Sequence, residues 1–132
     1  MMQYLFTKTN NTGMRFFQVG MKIETFDWRD SSFVVATDSI ELQKEIEREL
    51  ELPVEKRKML TGLPVPGSGG YNKNGSHEFC WHYKEDDWLL VDNSIEVCDG
   101  LPHTDVDLNL DYWLTIVKRF CPWQSYIAKE KR

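Results

Sequence analysis

The chain has 132 residues, 41% of them hydrophobic and 13% aromatic, and a net charge of -5. That is one domain's worth of sequence, with enough apolar side chain to bury a core and too much for a disordered segment. The acidic balance lacks the basic face that nucleic acid demands and is repelled by anionic membranes, so neither is an expected partner.

No apolar run approaches the ~18 residues of a membrane span. The start, MMQYLFTKTN, lacks the basic-then-apolar pattern of a secretory leader. With that, the three cysteines Cys80, Cys98 and Cys121 fit a reducing, cytoplasmic setting better than a disulfide framework.

Residues Tyr4 to Phe26 read as a β-hairpin turning at Asn10-Asn11-Thr12-Gly13, within an N-terminal extension of residues 1–30. Gly20 marks a potential bulge. Residues 31–130 form the core of the single domain. Phe33 to Thr37 (FVVAT) has the apolar run of a central strand. A helix starts at Asp38, which stands at capping-box distance from Glu41, and Leu42, Ile46 and Leu50 line its inner face. Pro53 closes it. Lys56 to Leu63 reads as a strand, and Pro64 to Ser76 (PVPGSGGYNKNGS) is too rich in Pro, Gly and Asn for a regular element. A loop that long is more often functional than idle.

Glu78 to Val97 reads as two strands joined at Glu85-Asp86-Asp87. Phe79, Trp81, Tyr83, Leu89, Val91, Ile95 and Val97 share one face under that register; Cys80, His82, Trp88, Leu90, Asp92 and Glu96 share the other. A second helix runs from about Thr104 to Cys121, with Val106, Leu110, Trp113, Leu114, Val117 and Cys121 inward. Ser125 to Lys129 is a last strand. The order from Phe33 predicts an α+β fold, an antiparallel sheet with two helices on one face in a ferredoxin-like βαββαβ plan. The other face stays open, and Trp88 with Leu90 would suit a homodimer or partner surface there.

FCWHYKEDDWLLVDNSIEVCDGLP, LDYWLTIVKRFCPW, the glycine loop and FVVAT resemble a group of small uncharacterised bacterial domains with a WHY-like strand, an IExCDG turn and a closing CPW. The pattern is also similar to the N-terminal part of a calmodulin-binding eukaryotic protein. It covers roughly Phe33 to Ala128. The resemblance implies no activity; it implies that Trp81, His82, Glu96, Cys98, Asp99, Gly100, Cys121, Pro122 and Trp123 are special to the fold.

Each chemical constellation has a plainer reading. Cys80, His82, Glu96 and Cys98 are ligand types on one predicted face, but without the CxxC, HxxxH or HExxH spacing of a metal site they read as buried thiols and a hydrogen-bonded histidine. No metal or cofactor is therefore expected. Asp105-x-Asp107-x-Asn109-x-Asp111 imitates a calcium loop, but Leu110 and Ile116 stand where Gly and Glu are required. His82 with Glu96 or Asp99 could do acid–base work, though no nucleophile motif accompanies them. GSGGYNKNG has the glycines of an anion cradle without the lysine motif or the helix that should follow. Among the tryptophans, Trp81, Trp113 and Trp123 belong to the core, and Trp28 and Trp88 lack a core partner. The leading expectation is a non-enzymatic ligand- or protein-binding module using Gly69, Gly70, Tyr71, Asn72, His82, Trp88 and Glu96. The alternative is a small enzyme built on His82, Glu96 and Asp99.

Overall fold

The structure is a computed structural model and describes residues 13–132. The first arm of the expected N-terminal hairpin lies outside those residues; its second arm is a strand, β1 (Arg15–Met21). The remaining elements are β2 (Ser32–Thr37), α1 (Ile40–Glu49), β3 (Met59–Pro66), the short pair β4 (Lys73–Asn74) and β5 (His77–Glu78), the long β6 (Trp81–Val91), a helical stretch over 102–117, and β7 (Ser125–Lys131). The α+β class holds. The ferredoxin-like single sheet does not form: the described strands divide into a three-stranded antiparallel sheet ordered β2-β1-β7 and the antiparallel pairs β3-β6 and β4-β5.

One apolar cluster joins these pieces, with Phe17 and Val19 from β1, Phe33 and Val35 from β2, Leu42 and Ile46 from α1, and Trp81, Tyr83, Trp88 and Leu90 from β6. Val106 and Trp113 of the helical stretch close it, with Phe120. Burying large aromatic side chains dominates such a core, and Phe33, Trp81, Tyr83 and Phe120 meet ring to ring at 5.3–6.2 Å.

β2 is a sheet edge, not the expected central strand, yet all six of its residues are buried. An edge strand leaves every second backbone group without a strand partner. Here side chains from β6 and the glycine loop take that place. Val34 N donates to Asn72 Oδ1 (2.9 Å), and Trp88 Nε1 donates to the Ala36 carbonyl (2.8 Å). Trp88 is thus a core residue that covers a strand edge, and the open face expected to carry Trp88 and Leu90 is not there.

The reason lies in β6. Glu85-Asp86-Asp87 is not a turn, because the strand runs through it. Opposite β3 the register jumps: Tyr83 pairs with Pro64, but Trp88 pairs with Gly62. Three extra residues bulge out there and switch the inward parity from odd to even, so Trp81 and Tyr83 are buried before the bulge and Trp88 and Leu90 after it. Leu89, Ile95 and Val97, expected inside, are exposed, and Trp123 is more than one-third exposed. Gly62 is required at this point: a Cβ would lie 2.6 Å from the Tyr83 ring. Gly20 answers a similar need, since a Cβ there would meet the Tyr126 ring at 2.8 Å; the actual bulge of β1 falls between Gln18 and Val19.

α1 is capped by Ser39, whose Oγ accepts from Leu42 N, rather than by Asp38. The second helical stretch buries Val106 and Trp113 of its expected stripe, leaves Leu110, Leu114 and Val117 half-buried, and is irregular. Its turns include bonds spanning five residues, such as Val106 N to Leu101 O, and it ends at Val117, where Lys118 takes a left-handed conformation. Buried Asp30 holds its first turn, accepting from His103 N, Thr104 N and Thr104 Oγ1 at 2.5–2.8 Å. Asp105 Oδ2 accepts from Leu101 N, so this acid serves the turn and not a calcium loop. Cys98 and Cys121 form a disulfide, which corrects the expectation of free thiols and leaves Cys80 as the free cysteine among the described residues.

Candidate functional site

The glycine loop, residues 67–72, folds back on the start of β6. Gly69 and Gly70 have positive φ (66° and 84°), which favours glycine. At Gly69 a side chain would also strike the Tyr71 ring at 2.7 Å. Ser68 Oγ accepts from Gly70 N and donates to Glu78. Asn72 locks the loop from inside: fully buried, it bonds Val34 N and donates to the Trp81 carbonyl at 2.8 Å. Its amide oxygen and nitrogen are both used inside the fold, so it acts as a structural clamp.

His82 and Tyr71 meet beside this loop. His82 Nδ1 lies 2.6 Å from the Gly67 carbonyl, so that nitrogen donates; Nε2 lies 3.2 Å from Glu85, whose same Oε2 accepts from the Tyr71 hydroxyl at 2.8 Å. Burial, then the Glu85 carboxylate, holds the Tyr71 phenol well above its ordinary value, so it stays a hydroxyl. Across Tyr71, whose ring meets Phe16 edge-on at 5.2 Å, opens a cleft of about 440 Å³. Phe16, Val34 and Tyr71 are its apolar lining, Gly70 and Gly75 its backbone edge, and Lys73, Lys131 and Arg132 its cationic rim.

The structure brings together Gly69, Gly70, Tyr71 and His82 of the expected set. Trp88 is withdrawn into the core, as described. Glu96 is exposed at the start of a short helical turn after β6. Asp99 Oδ1 accepts from Gly100 N and Trp123 N, a turn-stabilising role. His82 and Asp99 thus bond different partners, and the Glu96 side chain is exposed.

On the other side of Trp81 lies a group that sequence reasoning missed. His77 of β5, with His103 and Asp107 of the helical stretch, puts three ligand atoms within 4.8 Å of one another. His77 Nε2 and His103 Nδ1 both point at Asp107 Oδ2, at 2.6 and 2.8 Å. The other oxygen, Oδ1, accepts from Cys80 N at 2.9 Å and from its thiol at 3.1 Å. Burial alone would push the Asp107 carboxyl up; hydrogen bonds from His103, Cys80 and His77 outweigh it and hold the group below the usual carboxylate range. Desolvation and Asp107 push the Cys80 thiol up to about 11, so it is protonated at neutral pH and no ready nucleophile. The i, i+4 spacing of His103 and Asp107 was a visible sign of one shared helical face; nothing in the sequence placed His77 against it.

No curated protein and no solved structure matches the chain. The sequence profile of one family, the BP-74 N-terminal domain, matches residues 15–132. The match takes in β1, which the sequence resemblance left out, and reaches the last residue of β7 and beyond. From β1 onward, then, the chain belongs to the BP-74 N-terminal domain family, and the fold described above is that of one of its members.

Proposed function

We propose that this domain is a non-enzymatic binding module whose cleft beside the glycine loop takes a small anionic ligand carrying one flat apolar group. The carrying observation is the lining: an aromatic pair, Phe16 and Tyr71, together with Lys73 and Lys131, in a chain that is acidic overall. A volume of about 440 Å³ is within the range of small-molecule sites. A phosphate or carboxylate at the rim would meet two ammonium groups, and a ring could stack against Tyr71. Gly69, Gly70 and Tyr71 shape the wall, while His82 and Glu85 hold Tyr71 in place.

Acid–base catalysis by His82 with Glu96 or Asp99 has less support, because His82 and Asp99 bond different partners and Glu96 is exposed. A homodimer through Trp88 and Leu90 has lost its surface to the core. The cytoplasmic expectation rested on the lack of a leader pattern together with unpaired cysteines. The Cys98–Cys121 disulfide favours an oxidising compartment; acid-quenched protein should then show one reactive thiol, and three would refute it.

Phenyl phosphate is a suitable probe. In a titration followed by amide resonances, Gly70 and Gly75 should shift saturably, less at high salt, and the shifts should vanish in the Lys73→Ala, Lys131→Ala double variant. Unchanged glycine resonances at millimolar probe would sink the reading.

A further inference from the structure

The His77–His103–Asp107 group lies outside the cleft and has no part in the proposed ligand binding. We infer that it is a binding site for one divalent transition-metal ion of the zinc class, held by His77 Nε2, His103 Nδ1 and Asp107 Oδ2, with a fourth position open to water.

Three features support it. First, the donor set is that of open zinc sites, two imidazoles and one carboxylate. Secondly, the atoms converge on one place from two separate elements: both nitrogens face a single carboxylate oxygen, at 2.6 and 2.8 Å, and all three atoms lie within 4.8 Å. Around an ion held at about 2.0–2.1 Å, tetrahedral ligand atoms stand roughly 3.3 Å apart. Opening the two nitrogen–oxygen distances by about 0.7 and 0.5 Å, and closing the nitrogen–nitrogen distance from its present value within 4.8 Å, would admit the ion by side-chain torsions. Each imidazole would carry its proton on the far nitrogen and present its lone pair to the metal.

Thirdly, the ligands are held from behind, as metal ligands usually are. Cys80 N fixes the remaining Asp107 oxygen, and Asp30 fixes the backbone at His103. Asn74 Nδ2 bonds the Trp28 carbonyl and Ser31 Oγ, tying down the hairpin that presents His77. The His77 ring packs edge-on against Phe79 and His103, both at 4.8 Å. The side chains of His103 and Asp107 are 8% and 5% exposed and that of His77 is 20%, so the group is sheltered yet reachable from the His77 side.

The test is a cobalt(II) and zinc(II) titration of the full metal-stripped chain. One equivalent of cobalt should give the visible absorption of a tetrahedral or five-coordinate site, zinc should displace it, and zinc should raise the melting temperature. His77→Ala, the most accessible of the three, should weaken zinc binding by more than about a hundredfold, beyond what losing a mere supporting partner does. His103→Gln should do the same, and melting of both variants without metal checks that they fold. Cys80→Ser should retain the cobalt spectrum. No spectrum with wild-type protein, or uptake that disappears in Cys80→Ser but survives in both histidine variants, would overturn the inference.

Discussion

Cys80 and His82 flank the buried Trp81, and each belongs to a carboxylate-centred network. On the Cys80 side the carboxylate is Asp107, 5% exposed, with both oxygens occupied by donors from Cys80, His77 and His103. On the His82 side it is Glu85, 35% exposed, meeting only Tyr71 and His82 in the hydrogen bonds described. The donor types are nearly the same; the solvent is not. A buried acceptor leaves its partners unpaired when it is removed, whereas water replaces an exposed one. The first network should therefore carry stability as well as chemistry, and the second should mainly position Tyr71 beside the cleft.

The largest expected effect breaks the buried side. Asp107→Ala orphans two imidazoles and the Cys80 amide, and should destabilise the metal-free domain by about 3 kcal/mol in urea melts. A loss below about 1 kcal/mol would mean that water reaches this group freely. Asn72→Ala comes next, at about 2 kcal/mol, because Val34 N and the Trp81 carbonyl lose their partner at a strand edge. Amide exchange should localise that damage to β2 and the glycine loop; protection unchanged at Val34 would refute the edge-covering role.

Glu85→Gln sharpens the contrast. It should change stability by less than about 1 kcal/mol, yet weaken phenyl phosphate binding by loosening Tyr71. Equal losses from Glu85→Gln and Asp107→Ala would erase the distinction between the two sides. The smallest effect is a pH control away from both. Arg15 bonds Glu130 through Nε and Nη2 at 2.9 and 2.8 Å and, against slight desolvation, holds its carboxyl below the ordinary value. A carboxyl lowered in the folded state stabilises above its unfolded value, about 4.3, and that contribution fades as pH falls further. Glu130→Gln should flatten the acid limb slightly, by under about 1 kcal/mol, and leave stability at neutral pH nearly unaltered in slope.

Local pattern was enough where one element decides the outcome. Leu42 and Ile46 face inward because helical spacing puts them there, and the glycine loop is a loop because Gly69 and Gly70 need positive φ. Trp81 and Trp113 are core, as their periodicity says. The Glu85-Asp86-Asp87 stretch was recognisable as a break, but a break can be a turn or a bulge. Both interrupt alternation in the same way, and only the partner strand distinguishes them. Reading it as a turn sent Trp88 to the surface and Leu89, Ile95 and Val97 to the interior, each opposite to the structure.

What the sequence determined by itself was an acidic α+β domain with these helices, these strand candidates and a loop held open by glycine. Tertiary structure decided which strands pair, which cysteines join, that Trp88 and Asn72 cover the free edge of β2, and that His77 arrives at His103 and Asp107. The physical reason is range. Helical stripes, caps and glycine conformations arise from neighbours a few residues apart, so the sequence displays them directly. A strand edge in need of donors, or an imidazole brought 30 residues along the chain to a carboxylate, exists only after the core aromatics have packed.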